Sequence, residues 1–144
     1  MSIISEYPVI HEQEVAWGDM DALGHVNNVI YYRYVESARI TYLNLLNVFD
    51  YEVSPVVLSN NCKYLKPAFY PDRLNVATRI EELRRSACRM SYRIWSESQQ
   101  QIIAEAEAVV VFVHPDTMQK TAIPEQLRLD ILNLEAQVGH ILEK

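Results

Sequence analysis

The chain is short of the residues that give a backbone freedom and a site redox chemistry. Three glycines occur among 144 residues, at Gly18, Gly24 and Gly139, so the loop holding the first two concentrates the conformational latitude. The two cysteines, Cys62 and Cys88, form no C-x-x-C pair and have no histidine at metal-ligand spacing. They read as small thiols in strands, not as a disulfide, a redox couple or metal ligands. The four histidines, His11, His25, His114 and His140, make no H-x-H or H-x-x-x-H pattern, and no metal site is expected. No apolar run is long enough to cross a bilayer. The N-terminal MSIISEYPVIHEQEV lacks the basic lead, apolar centre and small-residue cleavage site of a secretory signal. The expectation is a cytoplasmic protein. Basic charge is also scarce, 13 Lys and Arg against 19 Asp and Glu for a net charge of -6, which argues against a nucleic-acid partner. The absence of G-x-S-x-G, of a P-loop and of G-x-G-x-x-G excludes a nucleophile elbow and the usual nucleotide cradles.

What is present is enough for a core: 49% of the residues are hydrophobic and 22% charged, the composition of one globular domain spanning 1–144. VIHEQEVA, residues 9–16, reads as a first strand. A helix is expected to begin near Asn27 or Asn28, with an apolar face of Tyr31, Tyr34, Val35, Ala38, Tyr42, Leu45 and Leu46 at helical spacing. Arg33, Glu36 and Arg39 fall off that face and suit a solvated row of ion pairs. Strands are predicted over 55–65, 74–83, 87–97 and 102–113. Their short connections imply a four-strand antiparallel meander. In the third of these, Cys88, Met90, Tyr92 and Ile94 face one way and Arg89, Ser91 and Arg93 the other. In the last, Ile103, Glu105 and Glu107 should oppose Ile102, Ala104, Ala106 and Ala108. After Pro124, the residues Leu127, Ile131, Leu134, Val138 and Ile141 mark an amphipathic C-terminal helix. This order is that of an α+β domain whose sheet wraps the long helix.

The loop before that helix, WGDMDALGHVNN, gathers two aspartates, a histidine and two asparagines. Asp19 and Asp21 suit turns that bond local amides. His25 taken alone suits a hydrogen-bonded structural role. Asn27 and Asn28 are the best residue type for a helix cap, yet capping needs one of them. The amides of residues 28–30 would be unpaired at the helix start, and their partial positive charge suits an oxyanion. Asp21 as base or nucleophile beside such amides has the parts for attack on a carbonyl.

WGDMDALGHVNNVIYYRYVESAR resembles the N-terminal signature of hotdog-fold acyl-CoA thioesterases of the 4-hydroxybenzoyl-CoA thioesterase-like group. NCKYLKPAFYPDRLNV is similar to that group's second characteristic stretch, with Pro71-Asp72 where many relatives carry Gly-Asp. The resemblance implies a hotdog fold over nearly the whole chain: an antiparallel sheet around a long central helix, with a C-terminal helix. It implies Asp21 as the acidic catalytic residue, acting as nucleophile or as general base on water, and the Asn28 backbone N–H as oxyanion donor. It places His25 and Asn27 where they line or brace the site. It implies a homodimer or homotetramer with the site at a subunit interface. The substrate would be an acyl-CoA or acyl-carrier-protein thioester, coenzyme A entering as part of the substrate with no further cofactor. Coenzyme A carries phosphates, so a basic rim is expected. Lys63, Lys66, Arg84, Arg85 and Arg89 are candidates for it, and equally for ordinary solvated charge. Tyr31, Tyr34 and Tyr42 suit an aryl pocket or plain core packing. Two other readings stay open on the same fold. One is a binding module that holds an acyl thioester or a protein without turnover, and the other is a hydratase using His25.

Overall fold

The computed structural model describes residues 2–142. Its elements are β1 (Val9–Glu14), α1 (Ile30–Leu45), β2 (Ser54–Tyr64), β3 (Arg73–Leu83), β4 (Ala87–Ser96), β5 (Gln101–Val113) and α2 (Glu125–Ala136), with short 3-10 turns at Ser2–Glu6, Trp17–Asp19 and Val48–Asp50. The five strands form one antiparallel sheet in the order β1-β3-β4-β5-β2. It curves around α1, the hotdog arrangement. Among the described residues no helix is long and apolar enough to cross a membrane.

The expected four-strand meander holds only for β3, β4 and β5. β2 pairs with β5, not with β3, so the segment after Tyr64 is a crossover that carries the chain from one side of the sheet to the other. Its length alone does not distinguish it from a hairpin loop. β1 and β2 are left as the two edges of the sheet.

α1 buries Tyr31, Tyr34, Val35, Ala38, Tyr42 and Leu43 against the inner face of the sheet, where Leu74, Val76, Ile80, Met90, Tyr92 and Ile94 meet them. Leu45 is not on this face: it is 58% exposed and Leu46 only partly buried. The helix ends at Leu45 and the chain turns at Asn47, with φ 55°, so Leu43 and Val48 fill the space instead. Arg39 departs from the solvated row. It is 7% exposed and donates from Nη1 to the Tyr92 hydroxyl at 3.1 Å. Four-residue spacing from Val35 places it close enough to the buried stripe to reach under the sheet.

A bulge where Ile94 gives way to Trp95 pairs these residues with Ala104 and Ile102, leaving Ile103 between them. The side-chain alternation therefore slips by one. Ile103 joins Ala104, Ala106 and Ala108 in the core, and Ile102 moves to the outer face with Trp95. There Ile4 and Tyr7 pack on Ala77, so the N-terminal turn covers part of the sheet's back. α2 ends at Ala136, short of the predicted run. Val138 is only partly buried, Ile141 is 77% exposed, and Gly139 with φ 77° breaks the helical path.

Candidate active site

The link from β1 to α1 folds as a miniature hairpin. Met20 and Val26 form an antiparallel bridge. Asp21 N–H donates to the His25 carbonyl at 2.9 Å, and Asn27 N–H to the Asp19 carbonyl at 3.0 Å. Gly24, with φ 86°, supplies the left-handed residue that the tip requires. Asp21 and His25 consequently face one another: Nδ1 of His25 lies 3.9 Å from Oδ2 of Asp21, with side chains 29% and 23% exposed. The other carboxylate oxygen of Asp21 accepts from Leu23 N–H at 2.8 Å. Its Oδ2 faces the imidazole.

Asp19 fastens this hairpin to the helix. Its Oδ2 accepts from the Tyr34 hydroxyl at 2.6 Å and from Ala16 N–H at 3.0 Å. Burial pushes the Tyr34 phenol far above its usual range, and the adjoining carboxylate acts in the same direction, so the phenol stays a donor. The two aspartates of DMD therefore differ in role. Asp19 is a structural anchor, and Asp21 keeps one oxygen open.

The helix start sorts the asparagines. Asn27 is the cap: its Oδ1 accepts from Val29 N–H at 3.0 Å and its carbonyl from Ile30 N–H at 2.9 Å. The regular helix begins at Ile30, later than expected, because this capped turn precedes it. Of the amides 28–30 expected to be unpaired, those of Val29 and Ile30 are thus satisfied. The Asn28 N–H makes no hydrogen bond to any described residue. The Asn28 carbonyl accepts from the Tyr64 hydroxyl at 2.8 Å, which ties the helix start to the end of β2.

A cleft of about 270 Å³ opens at this junction, lined by His25, Asn28, Tyr31, Tyr64, Lys66 and the neighbouring Leu65 and Pro67. The rings of Tyr31 and Tyr64 meet edge to face at 4.9 Å. Tyr31 is 1% exposed, and its hydroxyl accepts from Ala68 N–H at 3.0 Å. Val26 N–H donates to the Ala68 carbonyl at 2.8 Å, so one crossover residue clasps both the hairpin and the helix. Farther along, the buried Asp72 accepts from Ser96 Oγ, Ser98 N–H and Arg73 N–H, and its carbonyl accepts from Val15 N–H. The Pro71-Asp72 turn is therefore a rigid corner.

The structure gathers His25, Asn28, Tyr31 and Lys66 around one cleft, with Asp21 directly behind His25 and Asn27 beneath as the cap. It does not bring Lys63, Arg84, Arg85 or Arg89 there within the subunit. Lys63 is opposite Glu105 on the outer face, because odd-numbered β2 residues beyond the bulge at Val57/Ser59 point away from the helix. Arg84 and Arg85 lie in the β3–β4 turn, at the far end of the sheet. Arg89 is on the outer face, bound to Glu107 at 2.9 Å. Tyr64 was missed by sequence reasoning. Its signal was a tyrosine ending a strand on the same face as Cys62.

A family model described as the Thioesterase-like superfamily matches residues 15–131. A putative esterase of Aquifex aeolicus (strain VF5) is 34% identical over 95 residues, covering 62% of this chain and 74% of its own. The long-chain acyl-CoA thioesterase FadM of Escherichia coli (strain K12) is 27% identical over 113 residues, covering 76% and 86%. Among solved structures, a thioesterase from Thermus thermophilus complexed with coenzyme A and zinc superposes with a TM-score of 0.81 at 30% identity, covering 91% of this chain and 97% of that one.

Proposed function

Since this chain belongs to the thioesterase-like superfamily, we propose that it hydrolyses an acyl-CoA thioester to a carboxylic acid and coenzyme A, with Asp21 as the group that activates water or attacks directly. The observation that carries this is the Asn28 amide. The amides on both sides of it, of Asn27 and Val29, are hydrogen-bonded while its own has no partner among the described residues, and it borders the cleft at a helix start. A donor so placed suits the negative oxygen that develops when a thioester carbonyl becomes tetrahedral. Asp21 Oδ2 then serves as base on water or as nucleophile. His25, between Asp21 and the cleft, orients the water or the carboxylate. Thiolate leaves readily, so the site requires no strong general acid. Coenzyme A enters as part of the substrate, and no added cofactor is called on.

The site is completed in a homo-oligomer. β2 is an eleven-residue edge strand with Val56, Val57 and Leu58 exposed, a surface that a symmetric partner covers. Antiparallel pairing of two β2 edges sets the Ser54 end of one copy beside the Tyr64 end of the other. That carries the partner's Arg84 and the partner's Arg85 toward the cleft, where with Lys66 they form the cationic rim for the phosphates.

The test is thiol release from short, long and aryl acyl-CoAs by wild type and Asp21→Ala in parallel. Turnover that collapses in a folded variant supports the assignment. Full turnover by Asp21→Ala overturns the mechanism. No turnover by wild type on any CoA or carrier-protein thioester moves the weight to a binding module.

A further inference from the structure

Arg39 is the unusual residue of this fold. It is 7% exposed, yet the guanidinium's one hydrogen bond among the described residues goes to a neutral phenol, Tyr92. A guanidinium has five N–H donors, and a cation taken out of water is costly without a carboxylate or several acceptors. Burial raises the Tyr92 phenol while Arg39 acts to lower it, the upward effect being larger, so Tyr92 supplies no negative charge. The remaining donors have somewhere to go. Arg39 borders the open groove between α1 and β2, about 330 Å³ in its first section, together with Glu36, Val57 and Asn60. Glu36 precedes it by one turn, is exposed, and makes no ion pair with it within the subunit.

The groove has the position of a symmetric interface. Val57 and Asn60 flank the midpoint of β2, so a two-fold axis that pairs two β2 edges passes close to them. In such an isologous contact, residue i of one copy meets j of the other and j meets i. An acid and an unpaired cation on one groove are then self-complementary. We propose that a second copy of this chain completes Arg39: Glu36 of each copy ion-pairs with Arg39 of the other across the α1–β2 groove. The inference rests on the edge-paired assembly of the previous subsection and adds the pair that holds it in register.

The test is sedimentation equilibrium of the full chain as wild type, Glu36→Gln, Glu36→Arg, Arg39→Met and Glu36→Gln/Arg39→Met, each checked for fold by circular dichroism. Wild type should be at least dimeric. Glu36→Gln should raise the dimer dissociation constant about tenfold or more, the scale of losing a partner from a buried charge pair. Glu36→Arg should raise it further. Once Arg39 is Met, Glu36→Gln should cost less than about threefold, because coupling between the two is what a double-mutant cycle isolates. A Glu36→Arg dimer as tight as wild type overturns the pair by itself, and Glu36 is exposed, so this arm reads out whatever the fate of Arg39→Met. Equal penalties in both backgrounds also overturn it. A monomeric wild type overturns both the pair and the edge-paired assembly. Thiol release by the same samples judges hydrolysis separately.

Discussion

At the level of single residues, the informative choice is tyrosine where phenylalanine would pack as well. Tyr31, Tyr34 and Tyr42 all lie on the buried stripe of α1, and each hydroxyl holds a different element: Ala68 of the crossover, Asp19 of the hairpin and Glu135 of α2. Helical spacing made the stripe legible, but nothing local to these residues names a partner 15 to 93 positions away. Asp21 gives the first prediction. Asparagine retains an oxygen for Leu23 N–H and removes the negative charge, so Asp21→Asn should lower turnover about 10²–10⁴-fold and shift stability by less than about 0.5 kcal/mol. Steady-state kinetics and urea unfolding on one preparation check both halves. Asn28 gives the second. Proline is tolerated at the first position after a cap and has no N–H, so Asn28→Pro, measured against Asn28→Ala to account for the lost side chain, deletes the proposed oxyanion donor. It should cost about 10²–10³-fold in kcat with the far-ultraviolet spectrum unchanged. A variant with wild-type kcat would remove that amide from the mechanism.

At the level of elements, most of the strands and both helices could be read from period and turn residues, while pairings and ends could not. The β2–β5 pairing depends on where a crossover lands. The slip at Ile102 and Ile103 depends on a bulge opposite Trp95. Neither leaves a mark in a one-dimensional pattern. The grouping of the loop before α1 was legible because it is local: hairpin, cap and helix start lie within one stretch of chain. The positions of the basic residues were not, because Lys63 faces outward by strand parity and Arg84 and Arg85 lie in the turn at the far end of the sheet. The join between α1 and α2 makes the third prediction. Glu135 is fully buried and accepts from Tyr42 Oη at 2.6 Å and Ile80 N–H at 2.9 Å, with His140 Nδ1 2.7 Å away. Glu135→Ala would orphan buried donors on two elements and should destabilise by about 2–5 kcal/mol, read as a lower denaturation midpoint. Asn27→Ala, losing the cap, should cost only about 1 kcal/mol.

For the molecule as a whole, the shifts that burial imposes share a direction. The Cys88 thiol is pushed up to about 12, chiefly by burial. The phenols of Tyr31, Tyr34, Tyr42, Tyr64 and Tyr92 are raised too, in each case first by burial. A raised pKa means that the folded state holds its proton when the unfolded chain has released it. The stabilisation is whole below the unfolded values, about 8.5 for thiol and 10 for phenol, and is lost as pH rises beyond them. Stability should therefore decline from about pH 9 upward, and the tyrosinate absorbance of these five among the nine tyrosines should appear together with unfolding instead of ahead of it. A chain that ionised these phenols while still folded would contradict the buried hydroxyl network. The same burial predicts that Cys88 stays silent to thiol reagents until the protein unfolds, which leaves Cys62 as the background in a thiol-release assay.

The clasp at Ala68 bears on how such a protein changes over generations. Asp21, His25 and the Asn28 amide all ride on one short stretch fastened by Asp19 and Ala68. Across the cleft from it stand Tyr64, which ends β2, and Leu65 just after it, tied to it by the Tyr64 hydroxyl on the Asn28 carbonyl. Substitution at Leu65, which lines that cleft, can reshape it without touching those three groups. The loop is in this sense a module, and descent can retune the cleft beside it while inheriting the loop intact.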